Sequence, residues 1–167
     1  MGEKAIPEQV VLKRWRRRKM DGQLFHGTRL SPTIWRAIDF CFNMDPADLA
    51  KLSVEQVAEA IALKHDALKS AYLKLPAPPH LTQLFAALGA ERLVSVMQRH
   101  LSADRADRFG TPDLFLYSIY SDTQMLSFFR LVEVKRPRER ISADQQEELD
   151  FLVSLGLPAR VLRLIER

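Results

Sequence analysis

The sequence is nearly without cysteine, Cys41 being its only thiol. One thiol excludes an intramolecular disulfide and a cysteine-rich zinc site, which points to a disulfide-free, intracellular setting. No apolar run approaches the roughly 20 residues of a membrane-spanning helix, so no membrane partner is expected. An apolar signal-peptide core is also missing, because basic residues crowd the N-terminus from Lys13 onward. Internal repeats and low-complexity tracts are absent. His26, His65, His80 and His100 lie scattered without metal-ligand spacing. What remains is a 167-residue chain, 47% apolar and 28% charged, within the range of ordinary globular domains. That length suffices for one well-cored domain with a small helical addition.

The net charge of +4 is modest, but its distribution is uneven. Residues 1–20 hold seven Lys or Arg against Glu3 and Glu8, a balance of +5, leaving about −1 for the remainder. Lys13, Arg14, Arg16, Arg17, Arg18 and Lys19 form the run KRWRRRK. Such a block suits a polyanion, since bound phosphates release condensed counterions. A solvated helix face or a nuclear-targeting signal is the plainer reading. Trp15, in the middle of the run, either stacks on a base or packs on the next helix. The expected site of action is the nucleus of a eukaryote, or the cytoplasm in a bacterial or phage setting.

Helical signals dominate residues 1–79. Pro7 suits a first helical turn, and Glu8 to Lys19 contains no breaker. A second helix is predicted from Ser31–Pro32, with Ile34, Trp35, Ile38, Cys41 and Phe42 on one stripe. Ser53 and Gln56 form a capping box for a third. The breaker LPAPPH, Leu75 to His80, sets the expected boundary, with 1–79 as a helical region and 80–167 as a separate core. In that core a short helix at 81–88 precedes one from about Glu91 to Asp104, with Leu93, Val94, Met97 and Leu101 as its stripe. Asp113 to Ile119 and Ser127 to Lys135 read as an antiparallel hairpin across the turn YSDTQ. Ser142 with Gln145 is a second capping box. The helix it opens ends near Gly156, and ARVLRLI follows as a strand parallel to the previous one. The fold class is therefore mixed α/β behind a helical front.

Alternation along the second strand places Glu133 and Lys135 on one face, with Val132 and Val134 on the other. Counting back through the hairpin brings Asp113 opposite Glu133 to Lys135. Two carboxylates and an ammonium thus converge from residues twenty apart. Asp113 and Glu133 offer hard oxygen ligands for Mg²⁺ or Mn²⁺, and the Val134 carbonyl could add a third. Such a metal polarises a phosphoryl oxygen and acidifies water, while Lys135 orients the attacking water and offsets growing negative charge. An exposed cross-strand salt bridge is the alternative for the same spacing. Arg136, Arg138 and Arg140 follow the strand, where Arg136 and Arg140 could contact phosphates or form a solvated turn.

Gly110, Pro112–Asp113–Leu114, Glu133–Val134–Lys135, Pro137, Arg140, Ser142 and Gln145 together resemble the VRR-NUC branch of the PD-(D/E)XK nucleases. Leu88–Gly89, Arg99–His100–Leu101 and Ala103–Asp104 extend the likeness upstream. Within the branch the sequence looks most like the nuclease domains of the Fanconi-associated, crosslink-repair nucleases. The resemblance is specific over about 85–167 and faint over 25–80. It implies a restriction-endonuclease-like mixed sheet and a Mg²⁺- or Mn²⁺-dependent deoxyribonuclease, structure-selective for flap, branched or nicked DNA in repair or recombination. It also implies Asp113 and Glu133 as metal ligands, Lys135 as the catalytic lysine, and Gln145 as a helix residue beside the site. Gln145 has a local explanation too, as the capping-box partner of Ser142.

The sequence departs from the branch at an upstream carboxylate. The nearest string, LFHGTRLS with His26, Gly27 and Thr28, has no glutamate. Glu8, Glu55, Glu59, Asp104 and Asp107 are the substitutes, with Asp104 taken as the candidate because it falls on the stripe of Leu93, Met97 and Leu101. Two other readings stay open: a catalytically impaired nucleic-acid-binding module, and a subunit completed by a second copy or a partner protein.

Overall fold

Pro7, whose missing N–H costs nothing in a first turn, starts helix α1, Pro7–Arg16. The computed structural model describes residues 6–102 and 110–165. Its chain order continues with β1 (Gln23–Arg29), α2 (Ile34–Phe42), α3 (Pro46–Leu49), α4 (Val54–Ser70) and α5 (Pro78–Leu101). Then come β2 (Leu114–Tyr120), β3 (Leu126–Lys135), α6 (Ala143–Ser154) and β4 (Ala159–Arg163). Two compact units result, residues 1–29 with 110–167, and residues 30–109. The boundary expected at 79/80 differs from this division. Residues 6–29 belong with the sheet, and the helical unit is inserted in sequence between β1 and β2.

The sheet has the order β1-β2-β3-β4. β1–β2 and β2–β3 pair antiparallel, while β3–β4 is parallel, as expected across the α6 crossover. One sheet face carries Phe25, Leu114, Leu116, Val132 and Val134, against which α1 buries Val11, Leu12 and Trp15. Trp15 therefore packs on the sheet, neither on the next helix nor free for a base. Its Nε1 donates to the Tyr117 carbonyl at 3.1 Å, and its ring meets Phe25 and Phe128 edge-on at 5.3 and 5.8 Å.

Strand β1 is the element that the helical reading of 1–79 omits. Its buried positions are Phe25 and Gly27, so half of its alternating signal is a glycine, a residue that ordinarily weakens a strand. Gly27 is required by close approach. A Cβ there would lie 2.9 Å from side-chain carbons of both Leu12 and Leu116.

The helical unit follows its sequence more closely. α2 buries Ile34, Trp35, Ile38 and Cys41, and α4 opens with the complete Ser53–Gln56 capping box. The two helices expected around 81–88 and from 91 meet within α5 at Gly89, whose φ of 76° interrupts the helix. Beyond the kink the buried stripe is Leu93, Val96 and Met97, while Leu101 is exposed.

Gly110 leads into the candidate site, and a Cβ on it would lie 2.8 Å from the Asp144 carbonyl and 3.1 Å from Glu148 Cβ. Gly110→Ala should therefore force the Thr111–Asp113 segment away from α6. Overpacking of this kind costs about 1–3 kcal/mol, a fall of at least ~2 °C in melting temperature. A melting curve that superposes on wild type would refute the contact.

Candidate active site

The β2–β3 register sets Leu114 opposite Val132, so Asp113, one residue earlier, comes beside Glu133. Asp113 Oδ2 accepts the Val134 N–H at 2.8 Å, which fixes its carboxylate against the end of β3. Glu133 and Lys135 lie on the sheet face opposite Val132 and Val134, and both are buried, at 3% and 4% exposure. Lys135 Nζ is 3.6 Å from Glu133 Oε1 and 3.7 Å from Glu139 Oε2. The three residues singled out by spacing are thus together at one end of the sheet.

Gln145 reaches the same point from α6. Its Oε1 accepts the Ser142 N–H at 3.0 Å, and its own N–H donates to the Ser142 hydroxyl at 3.1 Å. The side-chain Nε2 remains free for Glu133 Oε1, which it meets at 2.9 Å. Capping and site contact are therefore made by one side chain, the carbonyl end serving the helix and the amide end serving Glu133.

Burial and mutual repulsion dominate the electrostatics. The Glu133 carboxyl is pushed up from 4.5 to about 8, first by burial and then by Asp113, with Lys135 opposing. Asp113 is raised too, chiefly by burial, although the Val134 N–H and a hydrogen bond from Glu133 oppose the rise. Both shifts run in the direction that favours a protonated carboxyl in the pair, as for any two close carboxyls removed from water.

Three contributors escaped the sequence reading or were passed over by it. Glu139 closes the KRPRER turn by accepting the Arg136 N–H at 3.1 Å, and that contact, more than Lys135, holds its carboxyl below the ordinary range. Arg163 of β4 donates to the carbonyls of Arg136, Pro137 and Glu139, clamping the turn. The i, i+4 spacing of Lys135 and Glu139 across Pro137 was the available signal for the first; nothing local announces the second. Glu8, on the first turn of α1, lies near enough for its charge to push Asp113 further up. Asp104 and Asp107 lie outside the described residues, and Glu55 and Glu59 are exposed on α4, so Glu8 is the upstream carboxylate that the structure associates with Asp113.

Among the described residues no three His, Cys, Asp or Glu side chains gather as a complete metal cage. The donors present still fit a hard divalent cation. Mg²⁺ is typically held by one or two carboxylates, with water and substrate phosphates completing its shell, and Asp113 and Glu133 are two such groups held by protein hydrogen bonds. The upward push on both carboxyls marks where positive charge is needed.

The basic residues of the N-terminal run are exposed. Lys13, Arg14 and Arg17 have no carboxylate partner among the described residues. Arg16 Nη2 donates to the Gly27 carbonyl at 2.8 Å, fastening α1 to β1. Arg18 stacks over Trp15 with its Cζ 4.9 Å from the ring centre. Arg136 and Arg140 are exposed on the clamped turn.

The family profile described as the VRR-NUC domain matches residues 50–164. Fanconi-associated nuclease 1 of Danio rerio is 38% identical over 84 residues, covering 50% of this chain and 8% of that protein. The crystal structure of paFAN1 bound to a 2nt 5′ flap DNA with gap has the same fold, with a TM-score of 0.56 and 19% identity. A second paFAN1 structure, with a 1nt 5′ flap DNA, gives 0.51 and 18%. Each covers 99% of this chain, which spans 36% of theirs.

Proposed function

The chain belongs to the VRR-NUC family, and from that premise we propose that it is a metal-dependent deoxyribonuclease of the PD-(D/E)XK type. The observation that carries this reading is the convergence of Asp113, Glu133 and Lys135 at one end of the sheet, with Gln145 holding Glu133. A divalent cation, Mg²⁺ or Mn²⁺, held by Asp113, Glu133 and the Val134 carbonyl would supply Lewis-acid polarisation of the scissile phosphoryl group.

The chain's own residues do the rest. A proton held by the Asp113–Glu133 pair leaves, so that both carboxylates are available as ligands. Gln145 fixes the Glu133 oxygen nearest Lys135, which keeps the carboxylate from rotating. Lys135, held between Glu133 and Glu139, faces the phosphate as a compact donor that offsets charge growing in the transition state. Glu8 adds negative potential on the α1 side of Asp113. The basic end of α1, with Arg136 and Arg140, holds the DNA backbone. Flap-bound paFAN1 supports branched or flapped DNA as the substrate class, in repair or recombination.

The test is incubation with flap, nicked, branched and linear DNA, with Mg²⁺, Mn²⁺ or EDTA. Cleavage confined to the metal arms is the expected result. Binding that persists in EDTA with no hydrolysis under either metal would instead make the chain a binding module on a nuclease fold.

A further inference from the structure

Arg130 is the one charged residue in the middle of β3, set among Phe128, Val132 and Val134 on the face that α1 covers. The residue is partly buried by its stem, and its guanidinium lies 5.6 Å from the centre of the Trp15 ring, to which Arg18 also comes, at 4.9 Å. The β3–β4 register places Arg160 beside Val132 on the same face, near enough that Arg160 and Arg18, after burial, hold the Arg130 guanidinium below its ordinary pKa. None of the three makes an ion pair or a side-chain hydrogen bond among the described residues. Three guanidiniums therefore converge with no carboxylate among the described residues to offset them.

Stacking on Trp15 accounts for two cations on one ring, but it gives no reason for Arg160. Three like charges held this close repel one another, and an anion seated among them would relieve that repulsion. Guanidinium forks match phosphate oxygens in pairs. Arg18 also lines an open cleft of about 610 Å³, shared with Arg16, Lys19, Phe25 and His26, so basic surface continues from the cluster along the end of α1. Arg130 precedes Glu133 by three residues, about 10 Å of strand at 3.3 Å per residue, and points to the other face of the sheet.

We propose that Arg18, Arg130 and Arg160 form a phosphate seat on the α1-covered face, which grips the nucleic-acid backbone at a point distinct from the Asp113–Glu133 site. The seat deepens the nuclease reading and rests on it for the identity of the ligand. It would hold one strand by its backbone without reading its sequence.

The experiment uses the full chain in EDTA, with Arg130→Gln, Arg160→Gln and the charge-keeping Arg130→Lys. An oligonucleotide is titrated by fluorescence anisotropy over a range of salt concentrations, and inorganic pyrophosphate is added in thermal melts. Each Gln variant should lower the slope of log K against log salt by ~0.7 for single-stranded DNA, whereas Arg130→Lys should keep it. Pyrophosphate should raise the wild-type melting temperature and fail to raise that of either Gln variant. Slopes that match wild type in both Gln variants overturn the proposal, even if the pyrophosphate effect is lost, because the ligand is then not nucleic acid. Stronger competition by polyglutamate than by an oligonucleotide overturns it likewise, in favour of an acidic protein. Lowered slopes in a chain that cleaves nothing under any metal would uphold the seat while the nuclease reading fails.

Discussion

Lys135→Ala should reduce divalent-metal-dependent cleavage by about 100- to 1,000-fold, the range seen when one preorganised transition-state donor is removed, with little change in DNA affinity. The ammonium is buried beside Glu133 and Glu139, whereas the basic residues assigned to the DNA backbone are exposed. Its charge is the one that opposes the upward push on Glu133, so its loss should also strengthen the Asp113–Glu133 pair's hold on their proton. Truncation to alanine empties buried volume as well. Lys135→Met separates the two effects, because it keeps most of the apolar stem and removes only the charge. Both variants should lose cleavage alike, measured as single-turnover rates at saturating Mn²⁺. Wild-type rates in Lys135→Met would mean that the residue serves packing, and the assigned role would fail.

The parts of this arrangement that could be read from sequence are those with short-range signatures. Ser53–Gln56 and Ser142–Gln145 announce their helix starts through a four-residue pattern, and both boxes form. Asp113 could be set against Glu133 by counting through one hairpin, because a strand pair joined by a short turn has few registers. β1 had no such signature. Its partner β2 lies some ninety residues on, and one of its two buried positions must be glycine to admit Leu12 and Leu116. Missing β1 also misplaced the domain boundary, since the basic helix before it then had nothing to pack on but another helix. Glu139 was hidden, and Glu8, though among the candidate substitutes, was passed over for Asp104, for a different reason. Each has a sufficient local explanation, as a solvated turn charge and as an acid in a helix's first turn, and only the fold brings them toward Lys135 and Asp113.

Glu133→Gln should abolish cleavage and, in EDTA, stabilise the protein at pH 8. The folded-state pKa of Glu133 is raised from 4.5 to about 8, so between those values the native state binds a proton that the unfolded state has released. Stability of the metal-free wild type must then fall as pH rises through that window, by at most about 1.4 kcal/mol per pH unit for one proton. Glutamine carries no titrating proton, so the slope should shrink to the part that the raised Asp113 supplies. A divalent cation needs the proton gone, so its stabilising effect on the wild type should grow with pH across the same window, with proton release on binding. Glu133→Gln should show neither effect. Its loss of activity should exceed the ~10- to 100-fold typical of residues one step removed from a metal, because here a ligand oxygen itself is neutralised. Thermal melts from pH 5 to 8, with EDTA and with Mn²⁺, read all of this in one series. A flat wild-type profile in EDTA would show that Glu133 is ionised throughout. The close approach to Asp113 could then not be the proton-sharing pair on which the metal site is argued.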